Sequence, residues 1–186
     1  NKILLSLLLM SSLFGAKYLA VIDLEATGVS DTEAKVLTQT LTSKMIELSD
    51  YIVVERANID KILKEQKFQH SGCTDSECAV EIGQLLNADV TVIGTAGKVG
   101  STYTLQTRII NVETGEALKS ADFTHKGEID ELLSTGIESV AHKLLGLTYQ
   151  KKIKPTATGS GYGGTLTITS DPEGAEVYIG GNYFDN

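Results

Sequence analysis

A chain of 186 residues, 41% hydrophobic and 22% charged, is long enough for one full domain and a fragment of a second. A domain of ~130 residues buries a sizeable core without staples. The net charge of -8 argues against nucleic acid as a partner, because neutralising phosphates needs a basic face. The one basic cluster, Lys151-Lys152-Ile153-Lys154, fits a solvated linker better than a binding patch.

Residues 3–14, ILLSLLLMSSLF, are almost wholly apolar and follow Lys2. The run is short of the ~20 residues an ordinary spanning helix needs. It fits the apolar region of a secretory signal peptide over residues 1–16, to be excluded from the fold. The alternative is a buried amino-terminal helix. No cysteine stands near the junction, so lipid attachment is not supported, although membrane association stays open.

Tyr18-Leu19-Ala20-Val21-Ile22 predicts a short strand running into Asp23-Leu24-Glu25. Two carboxylates at a strand end can hold a metal or work as acid and base, but they are more often solvated or capping groups. Ser30 and Glu33 form a capping box, and Leu37, Leu41, Met45 and Leu48 make one apolar stripe of the helix behind it.

The stretch Asp50–Thr95 organises the chain as strand, helix, cysteine loop, helix, strand. Tyr51-Ile52-Val53-Val54 and Val90-Thr91-Val92-Ile93 are apolar on both sides, which suits strands covered on both faces. Asn58 is the expected cap of the first helix, with Ile59, Ile62 and Leu63 inward. Thr74 and Glu77 suggest a second capping box, and Ala79, Ile82, Leu85 and Leu86 line the helix that follows.

From Ala88 the period changes to two. Strands over 90–99, 103–112 and 117–124, with turns at Gly100-Ser101 and 113–116, predict an antiparallel meander. Residues 128–146 return to helical spacing, with Gly146 as carboxyl cap. The order β-α-β-α-α-β-β-β-α describes an α/β domain over 17–147: a three-layer-like mixed sheet with flanking helices. A linker rich in Gly, Ser, Thr and Lys follows over 148–163. Thr165–Thr169 and Ala175–Ile179 then alternate as strands around Asp171-Pro172-Glu173-Gly174. The chain opens on Asn1 and stops on Asn186, so this last all-β module, 164–186, is expected to be a truncated one.

The stretch VVERANIDKILKEQKFQHSGCTDSECAVEIGQLLNADVTVIGTAGKVGSTYTLQTRIINVETGE closely resembles the curli-secretion-channel (CsgG-like) family. Over about residues 18–146 the domain also resembles penicillin-binding-protein activator lipoproteins and the amino-terminal domain of the TolB type. Pro172-Glu173-Gly174-Ala175 resembles the opening of a PEGA domain. These resemblances imply an α/β domain exported to the periplasm, outer membrane or cell surface, with a role in envelope assembly and no catalysis. They imply as partners an envelope protein, peptidoglycan or another glycan, and a possible homo-oligomer. The chain departs from the channel proteins in lacking a lipidation cysteine and extra paired segments of ~10 alternating residues for a barrel.

Cys73 and Cys78 are the only cysteines. In an exported protein a disulfide between them is the leading reading, and closing so short a loop would contribute about 2 kcal/mol. Zinc held by His70, Cys73 and Cys78 lacks a fourth ligand; free thiols are the third possibility. His125 and His142 stand in no nucleophile context. Gly94–Gly100 suggests a phosphate loop only superficially, since its spacing is wrong and a strand follows it. Arg56 can pair with Glu55 or Asp23. No catalytic, cofactor or metal residues are assigned, and three functions compete. An accessory or scaffold protein of the envelope is the first, a secretion-channel subunit the second, and a metal enzyme through Asp23 and Glu25 the last.

Overall fold

The computed structural model describes residues 16–65 and 73–150, and the backbone of two short strands at 177–179 and 182–184. The chain divides into two compact units, Asn1–Tyr149 and Gln150–Asn186. The first holds β1 (Tyr18–Val21), β2 (Glu25–Thr27), α1 (Asp31–Leu48), β3 (Ile52–Val53), α2 (Arg56–Glu65), α3 (Ser76–Leu85), β4 (Val90–Val99), β5 (Thr102–Asn111) and β6 (Ala117–Lys126). A π-helical turn over Leu132–Gly136 then leads into α4 (Ile137–Leu145). Residues 1–15 of the predicted signal segment lie outside the described residues.

The strands form one mixed sheet in the order β3-β1-β4-β5-β6, with β2 also on β4. β3, β1 and β4 run parallel, and β4, β5 and β6 form the expected antiparallel meander. Alternation along β1 shows the layering. Leu19 and Val21 enter the core beneath α1 and α4, whereas Ala20 and Ile22 enter the core beneath α2 and α3. Two apolar faces on one strand demand cover on both sides, and the three-layer α/β arrangement supplies it.

The expected capping box forms at the head of α1: the Ser30 N–H donates to Glu33 Oε2 at 2.6 Å and the Glu33 N–H donates to Ser30 Oγ at 3.2 Å. Gly146 ends α4 in the left-handed region at φ 72, where a side chain would be strained.

Several local expectations are corrected. Strand β2 was not foreseen. It continues β1 after an interruption: Val21 pairs with Val92 but Glu25 with Thr95, so four residues on one side match three on the other. One extra residue, a bulge, therefore sits near Asp23. β3 is only two residues long and lies at the sheet edge, with Ile52 exposed, so it is not covered on both faces. α2 begins at Arg56, which places Asn58 inside the helix. Glu55 supplies the carbonyl that the amides of Asn58 and Ile59 reach, at 3.0 and 3.1 Å. Asp75, not Thr74, caps α3 by accepting from the Cys78 N–H at 2.8 Å; a carboxylate one residue nearer the helix wins the position.

In the second unit, β7 (Val177–Ile179) falls within the strand expected at Ala175–Ile179. It pairs antiparallel with β8 (Asn182–Phe184), which follows it. The strand expected at Thr165–Thr169 and the residues Pro172 to Ala175 lie outside the described residues.

Candidate functional site

Helix length decides which part of the sheet the described helices cover. α2 and α3 have 10 residues each, about 15 Å of helix at 1.5 Å per residue. β4, β5 and β6 have 10 residues each, about 33 Å of strand at the usual rise. On the other face the 18 residues of α1, the π-helical turn and α4 cover the sheet. On the α2/α3 face the strands therefore outrun their helices. The sequence changes character at that boundary. Thr91, Ile93 and Ile110 are buried under the helices, while Thr95, Arg108 and Thr104 are half-buried and Gln106, Ser120, Asp122 and Thr124 exposed.

Strand register orders these residues into rows. Arg108 lies between Ile93 and Ser120, and Gln106 lies between Thr95 and Asp122. Glu25 stands beyond Thr95 in the second row. A polar concavity of about 490 Å³ opens here, lined by Thr74, Thr95, Gln106, Arg108, Ser120 and Asp122 among others. Arg108 is its cation, and Nη2 of its guanidinium donates to the Thr74 carbonyl from the cysteine loop.

The cysteine loop is thus one wall of the concavity. Cys73 is buried and Cys78 half-buried in the first turn of α3. The structure joins their sulfurs, with Cα atoms 5.9 Å apart. His70 lies outside the described residues. Among the described residues no three His, Cys, Asp or Glu side chains come together as a metal site would require.

The carboxylates that end β1 take separate paths. Asp23, beside the bulge, accepts from Arg56 Nη2 at 2.5 Å, and the same nitrogen meets Asp60 at 2.9 Å. Asp23 Oδ1 and Arg56 Nε are shielded from solvent and without a partner among the described residues. Glu25 is exposed on β2, so the two acids are not assembled as an acid–base pair. Of the two partners expected for Arg56, Asp23 is the one it takes. His142 places Nδ1 2.8 Å from the Glu138 carbonyl and meets the Tyr149 ring edge-on at 5.4 Å between centroids. His125 lies opposite Tyr103 in the sheet.

Gly94 belongs to the interior of β4, not to a phosphate loop. A Cβ there would stand 2.1 Å from the Gln106 carbonyl oxygen and 3.0 Å from Thr107 Cα, so glycine is required by the close approach of β5. Sequence reasoning missed Arg108, Thr95, Gln106 and Asp122. The available signal was an arginine in a strand whose positions on that face otherwise hold Thr104, Gln106 and Ile110, set against the buried Leu105, Thr107 and Ile109 of the other face.

These features define a class: a three-layer α/β domain with a polar sheet face that the described helices cover only in part. The comparisons agree on the fold. Residues 17–101 match the family model of the curli production assembly/transport component CsgG, and residues 163–184 match that of the PEGA domain. The resemblance read from the sequence is shown for both parts of the chain. No curated protein matches the chain. Among solved structures, it is similar to the LpoB C-terminal domain from Salmonella enterica at 18% identity and a TM-score of 0.51. That likeness covers 67% of this chain and 93% of that one. It is also similar to lipoprotein GNA1162 from Neisseria meningitidis at 14% identity and a TM-score of 0.52, over 68% of this chain and 98% of that one. At such identities the likeness is one of fold.

Proposed function

We propose that this is a non-enzymatic accessory or scaffold protein of the cell envelope, exported to the periplasm, outer membrane or cell surface, that binds a protein partner or a cell-wall polymer. The observation that carries the reading is the open half of the sheet face. It offers hydroxyl, amide and charged groups for contact. The match to CsgG, whose description is of assembly and transport, and the fold shared with a lipoprotein support it. Among the described residues no helix is long and apolar enough to cross a membrane. We assign residues 1–16 to a signal peptide, 17–147 to the α/β domain, 148–163 to a linker and 164–186 to a PEGA segment, the last supported by the match over 163–184. Pull-down from envelope extracts and sedimentation with isolated peptidoglycan test the reading. Enrichment of one protein or co-sedimentation is expected, and absence of both overturns it.

The CsgG match favours a second reading, a subunit of an oligomeric secretion channel. Rings in detergent and conductance in liposomes would establish it; a monomer that leaves liposomes silent removes it.

A further inference from the structure

The chain has two arginines, Arg56 and Arg108, and they are treated differently. Arg56 is held between two carboxylates. Arg108 is half-buried in a protein with 24 acidic residues, yet among the described residues it forms no ion pair, and the partner seen is the uncharged Thr74 carbonyl. A guanidinium carries five N–H donors in a rigid fork, so most of that fork is left to face the concavity. Partial desolvation of a cation without a counter-charge is unfavourable. The loop nevertheless turns a carbonyl toward it, which fixes its direction.

The second row supplies the opposite sign. Asp122 stands one row from Arg108 on the neighbouring strand, and Glu25 lies farther along the same row beyond Thr95. Diagonal neighbours on adjacent strands are roughly 7–8 Å apart. Thr95, Gln106 and Ser120 lie around and between these charges. A cavity of about 490 Å³ is small for a folded partner and suits a residue or two of an extended chain. Resting on the accessory reading above, we propose that the concavity binds the free carboxyl end of a peptide with an ammonium on the neighbouring residue, as the peptide stem of a cell-wall polymer presents. The carboxylate takes the free edge of the Arg108 fork, a geometry suited to bidentate pairing. The ammonium faces Asp122 and the acidic row, and the hydroxyl and amide groups meet the peptide backbone.

The test titrates the whole chain, followed by amide NMR, with acetyl-Lys-Ala, with its carboxamide, and with the norleucine analogue that lacks the ammonium. Saturable shifts at Thr74, Thr95 and Gln106 are expected with acetyl-Lys-Ala, binding at least tenfold weaker with the carboxamide, and an intermediate loss with the norleucine peptide. Arg108→Gln should bring acid and carboxamide to the same weak binding. Asp122→Asn, at an exposed position that should not disturb folding, should keep the preference for acid over carboxamide and erase that for lysine over norleucine. Equal binding of acid and carboxamide by the unaltered chain, shifts confined to other surfaces, or no saturable shift overturns the proposal. Sedimentation with peptidoglycan stripped of its peptides separates the two levels. Undiminished co-sedimentation there, or in Arg108→Gln, overturns the subsite and leaves the accessory reading intact.

Discussion

Breaking the bond between Cys73 and Cys78 gives a quantitative test of the cysteine loop. The sequence separation is 5, so the closed loop has six residues, and chain-entropy arithmetic for that length gives about 2 kcal/mol. A domain of ~130 residues has an unfolding entropy of about 0.27 kcal/mol per kelvin, so this loss lowers Tm by about 7 °C. The loop also holds the Asp75 cap and the Thr74 carbonyl that Arg108 reaches, so their loss should add to the entropic figure. Intact mass with and without reductant, followed by calorimetry of both forms, is the assay. The oxidised form should gain two protons on reduction and lose about 7 °C or somewhat more. Arg108→Met should cost about 1 kcal/mol in the oxidised form, as for a partly exposed charge-assisted hydrogen bond, and less in the reduced form. An unchanged mass removes the disulfide. A mass change with an unchanged Tm would refute the loop-closure argument, and equal costs of Arg108→Met in the two forms would refute the coupling.

Further outcomes follow from other parts of the fold. Gly94→Ala places a methyl group against the β5 backbone and should cost about 3 kcal/mol, the upper end for overpacking, measured by urea denaturation; a cost within error of zero would mean that β4 and β5 can separate freely. The Glu33 carboxyl is held below its ordinary range, first by the Ser30 backbone N–H and then by the Ser30 hydroxyl. A lowered folded value contributes stability above the ordinary carboxylate range, lost as pH falls through the folded value. Melting temperatures of the parent and Glu33→Gln should therefore differ at neutral pH and converge in acid, and a constant gap would contradict the capping box. Asp23→Asn removes the charge facing a partly exposed Arg56 and should cost no more than about 1 kcal/mol. Loss of a bound metal on that substitution would instead revive the metal reading.

The layers and the antiparallel meander were legible because they rest on periodicity. Leu37, Leu41 and Met45 repeat as a helix face, and β5 alternates residue by residue. Local chemistry was harder. Thr74 and Glu77 satisfy a capping pattern, but Asp75 lies one residue closer and takes the role. β2 has three residues, two of them exposed, and exists because a bulge resets its register on β4; no period of three residues announces that. The site was illegible for a different reason. Arg108 gains its meaning from the Thr74 carbonyl 34 residues away and from helices too short for the strands they cover. Both are properties of assembled parts.

The free edge of the sheet limits how copies of this domain can join. β6 ends the strand order and has no strand on its outer side among the described residues. Pairing passes from Ile109–Lys119 to Ile110–Ala117, so Leu118 is a surplus residue that kinks the edge. Lys143 Nζ donates to the Asp122 carbonyl at 3.0 Å and occupies an acceptor that an incoming strand would need. These are the devices by which edges are kept from recruiting strands. The opposite edge offers the two residues of β3 and the three of β2. A homo-oligomer of this domain is therefore expected to join through side-chain contacts between helices or faces, and to come apart into intact sheets. Removing the plug with Lys143→Ala should raise self-association in sedimentation velocity, and a strictly unchanged profile would show that the kink alone is enough.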